Sequence, residues 1–525
     1  MKIVKICVPL FLVFSLLATG ATYAEDCKFA INADTPEFIR NASSTNPKFP
    51  VNNELLKVFD DIVVPSGDIN TQVRYLWRND NAWYARWKMV EMAKQSIDCT
   101  YYILDSDIFG QAFLGALAKK AQEGVKVRLM VDWRIAESSY MKGMINKLQD
   151  VTKDPNIEIR LYNSAVKSWE QIFTDYRKLV ASNHDKILII DGKISMTGGR
   201  NIGSDYFAGK GEEDCVYRDS DILMGGTHAA GQMKQAFEDE WACMKNVIVH
   251  KGILNFCDQR DKLELARQAM DKYLKTGQIF NPNSKEYSEP MKTALADMNE
   301  ELVKYRGLSQ YNKFDLWHGE RCRPVKIIDK HSRLGPLNDI TPTLIKFMDN
   351  CKYEILMQNP YVVLTPDAEA ALARASARGV KIVFHSNSGG STDSLFPQAF
   401  LMNDLPRYLK EMPTAKFYAA PTPAQRLHSK VFVFDSQIAV IGTYNLDPLS
   451  EEVNSEVVAA VKDPTFATMT RLRLYNDMKV VVEYKVEVQK DGTVKSVFGP
   501  ENHLTPEVIE KMNKYRKLGL IRPTI

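Results

Sequence analysis

The stretch "NHDKILIIDGKISMTGGRN", residues 183–201, places a histidine, a lysine two residues on, an aspartate five further and a closing Gly-Gly-Arg-Asn. His184 and Lys186 stand at the head of an apolar run. At strand spacing they project from one face while Asp185 points away, so an imidazole is set beside a fixed positive charge. Asp191-Gly192 is a turn dipeptide that returns the chain through "KISMTGG" as a hairpin. The stretch "LHSKVFVFDSQIAVIGTYN", residues 427–445, repeats the order 244 residues later with His428, Lys430, Asp435-Ser436 and Asn445.

The surroundings repeat as well. "WYARWKMVEMAKQSIDCTYYIL" reads as a helix running into an apolar strand, and "FLGALAKKAQEGVKVRLMVD" as a helix closed by Gly124 before a strand from Val125 to Val131. "LIKFMDNCKYEILMQNPYVV" and "AEAALARASARGVKIVFHSN" give the same order around Gly379. Gly124 and Gly379 are offset by 255 residues against 244 for the motifs, so the first copy is about eleven residues longer. Strands alternating with helices predict two α/β halves. We divide the chain into a leader (1–24), an N-terminal extension (25–71), a first half (72–250), a polar helical insertion bridging the copies (251–322), a second half (323–484) and a C-terminal hairpin and helix (485–525). That last helix is capped by Thr505 with Pro506 in its first turn.

The leader "MKIVKICVPLFLVFSLLATGATYA" has two lysines, a short apolar run and small residues up to Ala24. This is the pattern of a secretory signal, and its apolar core is shorter than the ~20 residues a membrane span needs. The expected location is therefore secreted or periplasmic. Cleavage after Ala24 leaves 66 lysines and arginines against 65 acids. A dedicated nucleic-acid binder shows a strong basic excess, which argues against that class. In an oxidising compartment Cys27, Cys215, Cys243, Cys257, Cys322 and Cys351 can form up to three disulfides, with Cys99 a buried thiol in an apolar strand. No CxxC pair suggests zinc.

An ammonium, an imidazole and an amide suit a phosphate: charge for its oxygens, a donor to position them, and a histidine to attack or move protons. Lysine is not a usual metal ligand, and neither copy gathers the carboxylates of a metal site. A lone histidine at a strand end is usually structural, but two at identical spacing in a duplicated chain favour function. Each needs an orienting partner. Asp219 and Glu456, which open apolar segments downstream of the two motifs, are the candidates. Lesser signals carry less. "GSDYFAGKG" fails the phosphate-loop spacing, "SLFPQAFLM" reads equally as core or as substrate lining, and the basic run Lys511, Lys514, Arg516 and Lys517 reads more simply as a solvated helix face than as a lipid contact.

On the two His-x-Lys-x4-Asp-x6-Gly-Gly/Thr-x-Asn motifs, the chain resembles the phospholipase D superfamily over about residues 72 to 480. "GGRNIGSDYF" and "GTYNLDPLSEEVNSE" look most like the bacterial cardiolipin synthase C group. The resemblance implies two α/β sandwich halves related by a pseudo-twofold axis, with one active site at their interface. It also implies His184 as nucleophile and His428 as general acid. Lys186, Lys430, Asn201 and Asn445 then hold the phosphate oxygens, Asp219 and Glu456 orient the imidazoles, and Asp191 and Asp435 serve as structural turn residues. The expected reaction is metal-independent, needs no cofactor, and cleaves or exchanges a phospholipid head group through a phosphohistidine. The expected partners are the phospholipid and its membrane surface, with the chain a monomer containing an internal pseudo-dimer. The departures from the family pattern are the secretory leader, the long insertion and the cysteines. A nuclease of the same superfamily is disfavoured by the near-neutral charge, and an inactive lipid-binding module by the intact motifs.

Overall fold

The computed structural model describes residues 49–136, 143–164, 174–250, 259–420, 422, 426–491 and 493–517. The signal-peptide reading, Cys27 and Cys257 fall outside them. Among the described residues no helix is long and apolar enough to cross a membrane.

The duplication is literal in the sheets. In the first half the strands lie in the order 70–76, 221–225, 194–198, 187–190, 96–101, 126–132, 157–162, 247–248. In the second the order is 322–330, 456–462, 438–442, 431–434, 354–358, 381–387, 415–420, 482–488, with 494–498 added at the edge by the C-terminal hairpin. The three strands before each motif run parallel to one another, and each motif hairpin joins the first of them antiparallel. The two opening strands, Asn70–Leu76 and Cys322–Lys330, pair with each other in the register Asn70↔Pro324. Equivalent edges thus meet across the pseudo-twofold axis.

Both faces of each motif strand are buried, which is why they read as unbroken apolar runs rather than alternating ones. Leu188 and Ile190 point into the first half's own core, while Ile187 and Ile189 point into a cluster shared with the second half. Phe432 and Phe434 likewise stay in the second core, while Val431 and Val433 enter the shared one. Removing each such side chain from water contributes roughly 1.5–3 kcal/mol. The halves therefore form one folded unit.

The motif aspartates tie the hairpin turns to the sheet. Asp191 and Asp435 adopt positive φ, 53° and 50°, as a tight turn between twisted strands requires. The Asp191 carboxylate accepts the backbone N–H groups of Lys94, Gln95 and Ser96 at 2.7–3.2 Å. Asp435 accepts those of Lys352, Tyr353 and Glu354, together with Nδ2 of Asn52 from the N-terminal extension. Asp435 is fully buried, so Asp435→Ala should leave several desolvated donors unpaired and lower the unfolding free energy by about 3 kcal/mol. The half-buried Asp191 should cost roughly a third of that. Denaturant titration of both variants checks the ranking.

Two expectations are corrected. The insertion does not bridge the halves. Its helices Arg260–Thr276 and Glu289–Leu302 join the first core through Leu263, Met270, Leu295 and Leu302. The contact is close: a Cβ on Gly115 would lie 2.3 Å from the Leu263 carbonyl oxygen. Nor do three disulfides form, since Cys215, Cys322 and Cys351 are free thiols. Cys351 instead donates to Asp435 at 2.8 Å, within the turn described above. Cys99 is buried, as its apolar strand predicts.

Candidate active site

The residue before each histidine pairs, in parallel, with the residue before a carboxylate of the opposite half. Asn183 bridges Ser455, which sets His184 beside Glu456. Leu427 pairs with Arg218, which sets His428 beside Asp219. The resulting bonds are 2.9 Å from His184 Nδ1 to Glu456 Oε1 and 2.8 Å from His428 Nδ1 to Asp219 Oδ2. The two carboxylates nominated from sequence each hydrogen-bond the histidine of the other copy. Asp219 precedes its strand, which begins at Asp221, whereas Glu456 opens its own.

With Nδ1–H donating to a carboxylate, Nε2 of each ring is left to react. Both histidines are nearly buried, at 8 % and 6 % exposure. Lys186 and Lys430 each donate to the carbonyl of their own histidine, at 2.7 and 2.5 Å, and Lys430 Nζ also lies 3.0 Å from His428 Nδ1. Burial first, then the neighbouring Lys430, pushes the Lys186 ammonium down to about 7. Lys430 falls to about 8 through burial, with Asp219 opposing. Burial is the first cause of both shifts, and an anion held between the two ammoniums would favour their charged forms.

The two dyads differ. Burial would raise Asp219, but His428 and Lys430 outweigh it and hold the carboxyl at about 2. Burial raises Glu456 to about 7. Its Oε1 accepts from both His184 and Ser450, and its Oε2 has no partner. His184 is driven well below the usual histidine range by burial and then by Lys186 and Lys430. His428 is also lowered by burial and Lys430, while Asp219 pulls the other way.

The asparagines are not equivalent either. Asn201 accepts from Ile103 N at 3.0 Å and donates to the Tyr206 hydroxyl at 2.9 Å, leaving one amide hydrogen for a ligand. Asn445 keeps a buried Oδ1 without a partner. Asp185 does point away from the lysine face, and there it accepts from Ser455 at 2.9 Å.

Sequence reasoning missed the aromatic walls. Tyr102 lies edge-on to His184 at 5.2 Å, and Tyr206 and Tyr217, stacked on each other at 4.7 Å, both flank His428. Tyr206 comes from the segment rejected as a phosphate loop, where no spacing rule singles it out. Also missed were Arg86 and Arg200, both buried and both 2.9 Å from Oδ2 of Asp221, a network that fixes the start of the strand after Asp219. "SLFPQAFLM" is core at Phe396 and Phe400, but Asp393 just before it accepts from Tyr361 at 2.6 Å and Tyr217 at 3.3 Å. Among the described residues the grouping able to take a metal ion, Asp239, Asp329 and His331, uses none of the motif side chains.

The family model described as "Cardiolipin synthase, PLD-like domain" matches residues 87–241 and 344–476, once per half. Cardiolipin synthase C of Escherichia coli K12 is 27 % identical over 459 residues, covering 82 % of this chain and 89 % of that protein. Cardiolipin synthase 1 of Bacillus anthracis is 24 % identical over 444 residues, covering 82 % and 71 %. Among solved structures, phosphatidylserine synthase of Haemophilus influenzae Rd KW20 superposes with a TM-score of 0.59 at 13 % identity, covering 91 % of this chain and all of that one, a likeness of fold. With two family domains that together span more than half of its length and both motifs assembled into one centre, the chain is a phospholipase D-type enzyme of the cardiolipin synthase, PLD-like domain family.

Proposed function

We propose that the protein acts outside the cytoplasm, secreted or periplasmic, on phospholipids in a membrane surface, cleaving their head groups or exchanging them for another alcohol through a phosphohistidine. The observation that carries the reading is the crossed pair of His–carboxylate dyads around two buried lysines. The names of the relatives favour a phospholipid over a nucleic acid, and the apolar leader supports the location.

In the first step His184 Nε2 attacks phosphorus and the P–O bond to the head-group alcohol breaks. His428 delivers its Nε2 proton to that departing oxygen. The electrostatics favour this division of labour. A nucleophile must be unprotonated, and His184, lowest in basicity, is. An acid must hold a proton, and the ionised Asp219 helps His428 do so. Lys186, Lys430, Asn445 and the remaining amide hydrogen of Asn201 receive the phosphoryl oxygens. In the second step the now neutral His428 takes a proton from water or an alcohol, whose oxygen attacks phosphorus and expels His184. Water gives phosphatidic acid, and an alcohol gives a new phospholipid.

Incubation with mixed phospholipids and, separately, with DNA, followed by mass spectrometry, tests the reading. New or shortened head groups support it, while cut DNA with untouched lipid overturns it in favour of a nuclease. Because a covalent intermediate has no acceptor until one binds, added glycerol or ethanol should divert product from phosphatidic acid to phosphatidylalcohol in proportion to its concentration. A product ratio indifferent to alcohol would point to direct attack by water.

A further inference from the structure

Resting on the phospholipid reading above, we infer that the basic end of the C-terminal helix Pro506–Arg516 is the surface that holds anionic membrane lipid against the active site. The helix is anchored beside the catalytic centre by a traceable set of contacts. Tyr515 meets the Phe396 ring edge-on at 5.4 Å, and Met512 is fully buried with Leu504 against the helix Leu395–Glu411. Three residues before Phe396, Asp393 takes the Tyr217 hydroxyl, and the Tyr217 ring lies 5.2 Å from that of His428. Asp393, Ser394 and Leu395 are all part-exposed, so this is a place where the His428 side of the centre comes close to the surface.

The charge on that helix is sorted by end. Its acids, Glu507 and Glu510, lie in the first two turns, while 511–517 holds Lys511, Lys514, Arg516 and Lys517 and no acid. Lys514, Arg516 and Lys517 are exposed. The Lys514–Glu510 pair has side chains 70 % and 69 % exposed, and so can be given up cheaply for a lipid phosphate. Cations at a helix C-terminus also answer the helix dipole, and that alone would explain one or two of them. It does not explain their concentration on the end of the helix beside Asp393. The mature chain as a whole is almost neutral, so non-specific attraction to an anionic surface is weak and orientation must come from a local patch.

The hairpin Val482–Val488 and Val494–Phe498 supplies an internal control. Its lysines Lys485, Lys490 and Lys495 are equally exposed. Its tip lies at the other end of helix Leu395–Glu411, where Asp491 feels the charge of Lys410. The tip, which carries Lys490 and Lys495, is therefore about 25 Å from Asp393, the length of a 17-residue helix, while Lys485 sits at the hairpin's base beside Tyr484.

The test uses vesicles of phosphatidylcholine with and without phosphatidylserine, alongside a short-chain phospholipid kept monomeric in solution. Each basic residue near an anionic surface changes partitioning about fivefold. The triple variant Lys514→Gln, Arg516→Gln, Lys517→Gln should therefore bind phosphatidylserine vesicles on the order of 100-fold more weakly, lose turnover on them in parallel, and keep turnover of the monomeric lipid. Gln is a good helix former, and unchanged circular dichroism would confirm that the helix persists. The hairpin triple variant Lys485→Gln, Lys490→Gln, Lys495→Gln should lose much less. Wild-type binding should also fall steeply with salt, a readout needing no variant. Equal losses in the two triple variants, salt-independent binding, or no preference of wild type for phosphatidylserine would each overturn the inference. Failure of wild type to turn over even the monomeric lipid would instead strike at the phospholipid reading itself.

Discussion

Replacing His184 with Asn should abolish covalent labelling by a phosphodiester substrate and remove turnover, while replacing His428 with Asn should leave the first half of the reaction running when the leaving group is a good one. A nucleophile has to form the bond to phosphorus, and the division of labour proposed above gives that bond to His184. The acid only has to protonate the departing oxygen, and p-nitrophenolate leaves with little protonation. The His428 variant should release a burst of nitrophenol and then stall, because no base remains to deprotonate the incoming water. A phosphoenzyme, acid-labile as a phosphohistidine is, should accumulate and map to the peptide containing Asn183 to Lys186. With a natural alcohol as leaving group the same variant should lose roughly 10²–10⁴-fold, the usual worth of a positioned general acid. Labelling at the Leu427–Lys430 peptide, with the burst surviving in the His184 variant, would exchange the two roles. No labelling in either variant would remove the covalent mechanism.

Much of this centre is legible in the chain because the duplication makes two independent readings agree. The helix–strand succession, the motif hairpins and the turn aspartates follow from local patterns that occur twice, and the eight nominated side chains come from the same repeats. What the patterns cannot carry is contact between the copies. Which carboxylate reaches which histidine is set by two short parallel pairings, Asn183 with Ser455 and Leu427 with Arg218, that join segments more than two hundred residues apart. Either pairing scheme is compatible with the same local sequence. The insertion is misread for a related reason. Its helices are polar on one side and sit midway between the copies in sequence, yet the apolar side of Leu263, Ala266 and Met270 matches the helix Ile108–Gln122, so packing and not sequence order decides its place. The tyrosines escaped because an aromatic residue near a motif is indistinguishable from core until the two halves close around it. Cys215, Cys322 and Cys351 make the same point: thiol count permits disulfides, but only spatial approach makes them.

The crossed dyads are equal in geometry and unequal in charge, and that inequality should appear in the kinetics. Asp219 at about 2 is an anion throughout the working range, and its charge supports the imidazolium form of His428. Asp219→Asn keeps the shape but removes the charge, so the proton on His428 should be lost at lower pH and the rate with natural leaving groups should fall on the order of 10²-fold, less than loss of the histidine itself. Glu456 at about 7 is largely neutral below that pH. Glu456→Gln replaces a neutral acid with a neutral amide whose oxygen can still accept from His184 Nδ1, so below pH 7 the loss should stay within about tenfold. Above it wild type and Glu456→Gln should part. The wild-type Glu456 raises its share of the anion as pH increases, which draws the Nδ1 proton and makes His184 Nε2 a better nucleophile. The wild-type labelling rate should therefore climb through an inflection near 7, and Glu456→Gln should lack that inflection. Pre-steady-state labelling with p-nitrophenyl substrate across pH isolates this step, since it does not depend on protonation of the leaving group. An inflection that persists in Glu456→Gln, or an equal loss in the two amide variants at low pH, would mean that both carboxylates act as plain anions and that the asymmetry between the halves lies elsewhere.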